Sequence, residues 1–455
     1  MSARLIGALA TTDPLANLFS DESVLQAMLD FEVALARAEA GLGIIPLAAA
    51  DSIERAAKPS EFDATKLAHD AFRSGTVSIP LVKALTAHVR SSDPVAARFV
   101  HWGATSQDVA DTALMLLTKR AEPFISADLT RLEEALRRLS DEHQHTVMLG
   151  RTLLQPAPPI TFGLKAAGWL GAIRRSRARL ERALSETLLV QFGGASGTLA
   201  ALGAQGLAVS RGIARELNLG LADAPWHTHR DRLASMIVAC GVLTGCLGKM
   251  ARDISLLMQN EVNEAAEPSE EGRGGSSTMP NKRNPIACAL TLAAALRVPG
   301  LVAAFLSSMV QEHERAVGGW QAEWPTVGAV IQATGLAAAS MAETAEGLEV
   351  NKARMRLNIE STRGAIFAEK AMMLLGGTLG RDVAHKALEE ATRRSNAEGR
   401  RLGEVLAELP EVTRALDRET LHDLDSPEGY LGSSAALRAN LLSPLKLPNS
   451  GGGKE

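Results

Sequence analysis

Tyrosine occurs once, at Tyr430, and aromatic residues make up only 4% of the 455-residue chain. That scarcity, beside alanine and leucine throughout, argues against a strand-rich fold and favours helix. Cysteine is nearly as rare. Cys240, Cys246 and Cys288 are odd in number, widely spread and set in apolar helical sequence. They exclude a disulfide framework and read as buried free thiols of a reducing cytosol. The chain has no block of lysine and arginine, and its net charge of −4 argues against a nucleic-acid surface. Any anionic ligand must therefore be held by a local cluster. No apolar run approaches the roughly 20 residues of a membrane span. The opening Arg4–Ala10 has too short an apolar core for a signal peptide, and Asp13-Pro14 follows at once. The expectation is a cytoplasmic protein with neither nucleic acid nor membrane as partner.

What is present is an ordinary globular composition, 46% hydrophobic and 22% charged, on a chain too long for one compact core. Three regions separate. Residues 1–110 hold short helical patterns broken by Gly41, Gly43, Pro46, Pro59, Pro80 and Pro94, and residues 111–362 hold long helical runs. Residues 363–455 hold shorter runs and close in the tail Pro448–Gly453, expected to be disordered. No proline or turn cluster interrupts Asp231 to Glu267, where apolar residues keep a seven-residue rhythm. One series is Leu233, Cys240, Leu247 and Ile254; the other is Ile237, Thr244, Ala251 and Met258. Two such interleaved series form the seam of a helix in a long bundle, and the small members let neighbours approach closely. Comparable runs cover roughly 112–145, 160–190, 286–315 and 327–350. The fold class is therefore all-α, three helical domains around a central long-helix bundle. Helices this long leave apolar faces that one chain cannot cover, so an oligomer is expected.

The stretch Gly274–Pro285 carries the densest chemistry. Gly272, Gly274 and Gly275 let the loop move, and Pro280 and Pro285 stiffen it. Ser276, Ser277, Lys282 and Asn284 fall within nine residues. Such a loop can close over a carboxylate, and a serine held there can exchange a proton with carbon where nearby charge favours its alkoxide. The same residues also suit a solvated linker. His101-Trp102-Gly103-Ala104-Thr105-Ser106-Gln107-Asp108 precedes a helical run, where hydroxyls and N–H groups hold a carboxylate or simply cap the helix. His227-x-His229 and His143-x-His145 lack accompanying cysteine or carboxylate clusters, so no metal is expected. The glycines before Lys282 lack the ending of a phosphate loop, and no nucleotide or redox cofactor is implied.

The order GSSxMPxKxNP in Gly275–Pro285 resembles the signature loop of the fumarase/aspartase superfamily. The resemblance extends over nearly the whole chain. It implies three helical domains whose central helices build one multi-helix core in a homotetramer, with each site built from several chains. It also implies an enzyme that makes or breaks a C–O or C–N bond beta to a carboxylate. Ser276 becomes the carbon acid/base, Lys282 and Asn284 hold substrate, and Ser277 joins them. HWGATSQD is similar to the superfamily's first block in the form shared by adenylosuccinate lyases and carboxymuconate cycloisomerases. That match makes His101, Thr105 and Ser106 substrate contacts.

Gly150-Arg151-Thr152-Leu153-Leu154-Gln155 resembles the second block, usually GRTHxQ, and makes Thr152 and Gln155 substrate contacts. Leu153 stands where most relatives carry the histidine that serves the leaving group. Hydroxide or an amine leaves badly unless protonated, whereas a carboxylate, whose acid has a pKa of about 4, needs no such help. The departure points to attack by a carboxylate within the same molecule, with proximity replacing an activated water. Gln311–Arg315 resembles the HER segment of adenylosuccinate lyases and brings in Arg315, but Trp324 stands where their nucleotide-binding arginine is expected. Together these segments, with Gln191–Thr198 and Pro225–Asp231, are most similar to the bacterial carboxymuconate cycloisomerase family of the protocatechuate branch of the β-ketoadipate pathway. The expected reaction is lactonisation of a small polycarboxylate without a cofactor. Alternatives are another superfamily lyase, such as one for adenylosuccinate, a cycloisomerase for a sulfonated muconate, or a non-catalytic scaffold.

Overall fold

The computed structural model describes residues 4–269, 274, 279 and 282–444. Helix dominates them, and the sheets among the described residues are three two-stranded ribbons. The chain divides into two compact units. One comprises Met1–Thr130, Ser176–Gly248 and Ala289–Ser340; the other comprises Arg131–Arg175, Lys249–Cys288 and Met341–Glu455. The elements that matter for function are α1 (Asp21–Gly41), α2 (Ser106–Glu142), α3 (Phe162–Thr187), α4 (Asp231–Leu257), α5 (Ile286–Ser308) and α6 (Gly319–Glu346). An antiparallel hairpin, β1 (Val147–Thr152) and β2 (Gln155–Thr161), leads into α3.

Within the first unit, α1 starts at Ser20, whose Oγ accepts from the Ser23 N–H at 3.3 Å, with Asp21 and Glu22 in its first turn. Its buried stripe contains Leu25, Met28, Leu29 and Leu35 and, on the same face, Glu32 and Glu39. The seam read from the sequence is core from Leu233 through Ile237, Cys240, Thr244, Leu247 and Ala251 to Ile254, all at most 2% exposed, whereas its last member, Met258, is half-buried just past the helix end. The close approach expected of small residues is also present. A Cβ on Gly248 of α4 would come within 2.5 Å of Ala295 on α5, and Thr244 Oγ1 lies 3.1 Å from Thr334 Oγ1 on α6. Burial pushes the Cys240 thiol up to about 12, as suits an inert core residue.

Two boundaries differ from the sequence reading. The helix opened by Asp231 stops at Leu257 and does not reach Glu267. Asn263 takes a left-handed φ of 49°, and Glu264 leaves the helical path to accept from Arg151 and Asn358. The helix expected from 327 begins at Gly319 and takes Pro325 in its second turn. Trp320 and Glu323 are drawn into it by buried partners, Asp111 and Arg230. The expectation that no run is long enough for a membrane span also needs correction: α4 and α5 are long and apolar enough by length and composition. In α4, 61% of the most apolar stretch is buried within the fold, against 28% in α5.

In the second unit, the C-terminal helices gather Ala371, Leu375, Ala391, Leu402, Val405 and Leu424 into one core. Val147 and Leu149 of β1 pack with Ile359, Ile366 and Phe367 in another, which anchors the base of the hairpin.

Candidate active site

The first unit brings four of the expected residues to the start of α2. Thr105 precedes the helix, and its N–H donates 3.0 Å to Asp108 Oδ2, a reciprocal cap that frees the threonine hydroxyl. Arg315 Nη1 takes that hydroxyl as acceptor at 2.6 Å, and its Nη2 donates to the carbonyls of Gly194 and Ala195 at 3.3 and 3.0 Å. Ser106 opens α2, half-buried, and its carbonyl accepts from Ser78 Oγ at 2.9 Å. His101 sits one turn earlier in a left-handed conformation, φ 61°, with Nδ1 2.7 Å from Glu32 Oε1. A non-glycine residue held there costs energy that the surroundings must supply. Burial would lower the His101 pKa, but the Glu32 carboxylate, with help from Asp108, raises it overall.

Asp108 is the hub beneath these groups. Its two oxygens accept from the N–H groups of Thr105, Gly193 and Gly194, each at 3.0 Å, and approach His227 Nε2 at 2.7 Å. Gly193 has to be glycine, since a Cβ would lie 2.7 Å from the His227 ring. Below lies a second cluster: Arg230, buried, donates to Asp111 at 2.7 Å and to Glu323 at 3.0 Å. Burial alone would lower its pKa, but the two facing carboxylates raise it, so it stays charged. Trp320 Nε1 donates to Asp111 at 3.0 Å, and Trp324 stacks edge-on against Trp320 with centroids 4.7 Å apart. Trp324 also lines an apolar cavity of about 210 Å³ with Phe19, Val24, Met28 and Leu114. The surroundings of that tryptophan are apolar.

The second unit carries the rest of the set. Thr152 and Gln155 face each other at the hairpin tip, exposed, and Leu153 and Leu154 form the two-residue turn between them. Both leucines have positive φ, 51° and 64°, a turn that usually demands Asn or Gly, and they are 97% and 72% exposed. Arg151 braces this tip with a bidentate pair to buried Glu264 at 2.7 and 2.8 Å. Lys165, at the start of α3, is unusually desolvated, and burial holds its pKa down. Ser276 and Ser277 lie outside the described residues. Lys282 is exposed, and the Asn284 N–H donates to the Gly274 carbonyl at 2.9 Å. Just beyond, the Glu267 carboxylate accepts from the N–H groups of Ala287 and Cys288 at 3.1 and 2.7 Å, capping α5. Arg283 pairs with Glu349 at 2.9 Å, which ties down the stem of the loop.

Sequence reasoning missed Glu32, Asp108 and the Arg230 cluster as parts of the site. Glu32 and Glu39 could have been found as charges on an otherwise apolar helix stripe. His227 Nε2 is engaged by Asp108 at 2.7 Å.

Similarity to known proteins defines the class to which these segments belong. A lyase family model matches residues 8–300, and a model of the adenylosuccinate lyase C-terminus matches residues 364–440. The chain belongs to this lyase family, the fumarase/aspartase superfamily. It is 50% identical over 426 residues to a 3-carboxy-cis,cis-muconate cycloisomerase of Bradyrhizobium diazoefficiens, covering 94% of each chain. The Pseudomonas aeruginosa enzyme of the same name is 46% identical over 441 residues, with 95% of this chain and 94% of that one covered. The crystal structure of the 3-carboxy-cis,cis-muconate lactonizing enzyme from Pseudomonas putida superposes with a TM-score of 0.91 at 44% identity, covering 96% of this chain and 98% of that one.

Proposed function

We propose that this protein lactonises 3-carboxy-cis,cis-muconate to 4-carboxymuconolactone, a step of the protocatechuate branch of the β-ketoadipate pathway. One substrate carboxylate oxygen forms a C–O bond to the alkene carbon beta to a second carboxylate. The electron pair moves to the alpha carbon as an enediolate, which takes one proton. That proton balances the one the attacking carboxyl group gave to solvent on ionising, so substrate and product are isomers as free acids. Arg315, Thr105, Ser106 and His101 hold carboxylates of the substrate, with Thr152, Gln155 and Ser277 as further contacts. Lys282 and Asn284 stabilise the enediolate, and Ser276 supplies the proton.

The observation that carries this reading is Leu153, an apolar residue on an exposed, left-handed turn where relatives with poor leaving groups use histidine. Trp324 in its apolar cavity supports it, because a nucleotide phosphate would require a cation there. Whole-length likeness to relatives that carry this name supports it independently. The protein acts as a cytoplasmic homotetramer whose sites take residues from several chains. Leu296, 76% exposed, and Leu306, 43% exposed, on sparsely buried α5 support self-association.

The test is to incubate the purified protein with 3-carboxymuconate and follow the diene absorbance. Its fall, with the lactone as product, is expected. Inertness toward this substrate together with turnover of adenylosuccinate or a sulfonated muconate would replace the reading with one of those activities.

A further inference from the structure

Two buried carboxyls on α1 are not explained by packing. Glu32 is 1% exposed and Glu39 is 0% exposed. Among the described residues, Glu32 Oε2 and both oxygens of Glu39 accept no hydrogen bond. A buried ionised carboxylate needs a facing cation, and a buried carboxyl without one gives up its charge. The two residues take these opposite courses. Desolvation first, and the nearby Glu32 second, push Glu39 up to about 9, so it is neutral at neutral pH. Glu32 instead has His101 Nδ1 at 2.7 Å, on a histidine whose side chain is 18% exposed.

We propose that Glu32 is a positioning residue that grips His101 through Nδ1 and keeps it an imidazolium, leaving Nε2–H as the charged donor for a substrate carboxylate. This rests on the reading of His101 as a substrate contact. The charged groups that face the imidazole are Glu32 from α1 and Asp108 from α2. Asp108 is already engaged by three backbone N–H groups and His227, so Glu32 is the partner that binds the ring. Glu39, being neutral, adds no second negative charge to compete for the imidazolium. The left-handed backbone at His101 turns the ring back toward α1, where the pairing offsets the conformational strain. The ion pair is neutral overall, which suits its burial, yet its exposed edge donates as a cation.

The experiment combines pH profiles of kcat/KM for 3-carboxymuconate with an NMR titration of 13C-labelled histidines in the intact protein, His101 being assigned by loss of its signal in His101→Gln. In the wild type His101 titrates above the usual histidine value of about 6.5. Glu32→Gln keeps an acceptor but removes the charge, and should lower that pKa by about one unit or more. Its kcat/KM should fall about 10-fold near pH 8 and recover toward wild type near pH 6, because acid restores the imidazolium. Glu32→Asp, which keeps the charge, should retain most of the alkaline activity, and Glu39→Gln should follow the wild-type profile. An unshifted His101 titration in Glu32→Gln, or a deficit equal at all pH values, overturns the proposal. Should Glu32→Gln fail to fold, loss of alkaline activity in Glu32→Asp equal to that of His101→Gln does the same. A shifted titration in a protein inert toward the muconate would leave the pair standing and remove the proposed function instead.

Discussion

Arg315 donates from Nη1 to Thr105 Oγ1 at 2.6 Å, joining residues 210 positions apart in the chain. The hydroxyl is available because the Asp108 N–H donates to the Thr105 carbonyl, at 3.0 Å, and not to the threonine side chain. In the proposed function this hydroxyl and guanidinium hold a substrate carboxylate, with Ser106 and His101 as further contacts.

Arg315→Ala should therefore raise KM for the carboxymuconate about 10- to 100-fold, the range for losing a charged hydrogen-bond partner. Arg315→Lys should recover little of this, since an ammonium lacks the guanidinium's fork. Steady-state kinetics decide the matter, and an unchanged KM in the alanine variant removes Arg315 from the site.

Ser276→Ala should lower kcat roughly 100- to 1,000-fold with folding intact, the usual loss on deleting one contact that acts in the transition state. Mixing inactive Ser276→Ala and His101→Gln chains as hybrid tetramers should restore part of the activity, because the proposed sites draw on several chains. Near-wild-type turnover by Ser276→Ala would require another acid, and an active monomer on sizing chromatography would refute the shared sites.

Leu153→His restores the residue usual in relatives and should bring no gain in lactonisation. A loss is expected, because a polar imidazole at the proposed site would favour water as a competing nucleophile toward the diene. A several-fold increase in kcat for the variant would show that the leaving oxygen does need a proton donor.

Glu39 makes a prediction about stability. Its folded-state pKa is raised, from 4.5 to about 9, so the native protein holds a proton that the unfolded chain releases. Stability is then greatest below the unfolded value and falls as pH rises across that window, by at most about 1.4 kcal/mol per pH unit. Glu39→Gln should be more stable than wild type at neutral and alkaline pH, with a gain that shrinks toward pH 4.5. Melting temperatures of both proteins across that range measure it; a gap that does not vary with pH would mean that Glu39 is ionised in the fold.

The long helices were legible because their seams repeat: Leu233, Ile237, Cys240, Thr244 and Leu247 fell where the rhythm put them. Their ends were not legible. Leu257 ends α4 because Glu264 is taken by Arg151, more than a hundred residues earlier, and Gly319 opens α6 because Arg230 captures Glu323. Such partners leave no periodic trace. The site motifs were legible as types of residue, and Thr105 and Arg315, from separate motifs, lie within hydrogen-bond distance. Glu32 was hidden for the opposite reason. It lies in no motif, and only its charge on an apolar stripe marks it.

In the proposed reaction the attacking oxygen belongs to the substrate and not to water. Turnover of 3-carboxy-cis,cis-muconate in H2(18)O, with the product read by mass spectrometry, tests it directly. A lactone of unchanged mass, with no 18O incorporated, is expected, since the hydrogen taken up at carbon is ordinary 1H. A product enriched in 18O, or heavier by one water, would mean that the enzyme hydrates the diene and that no intramolecular attack takes place.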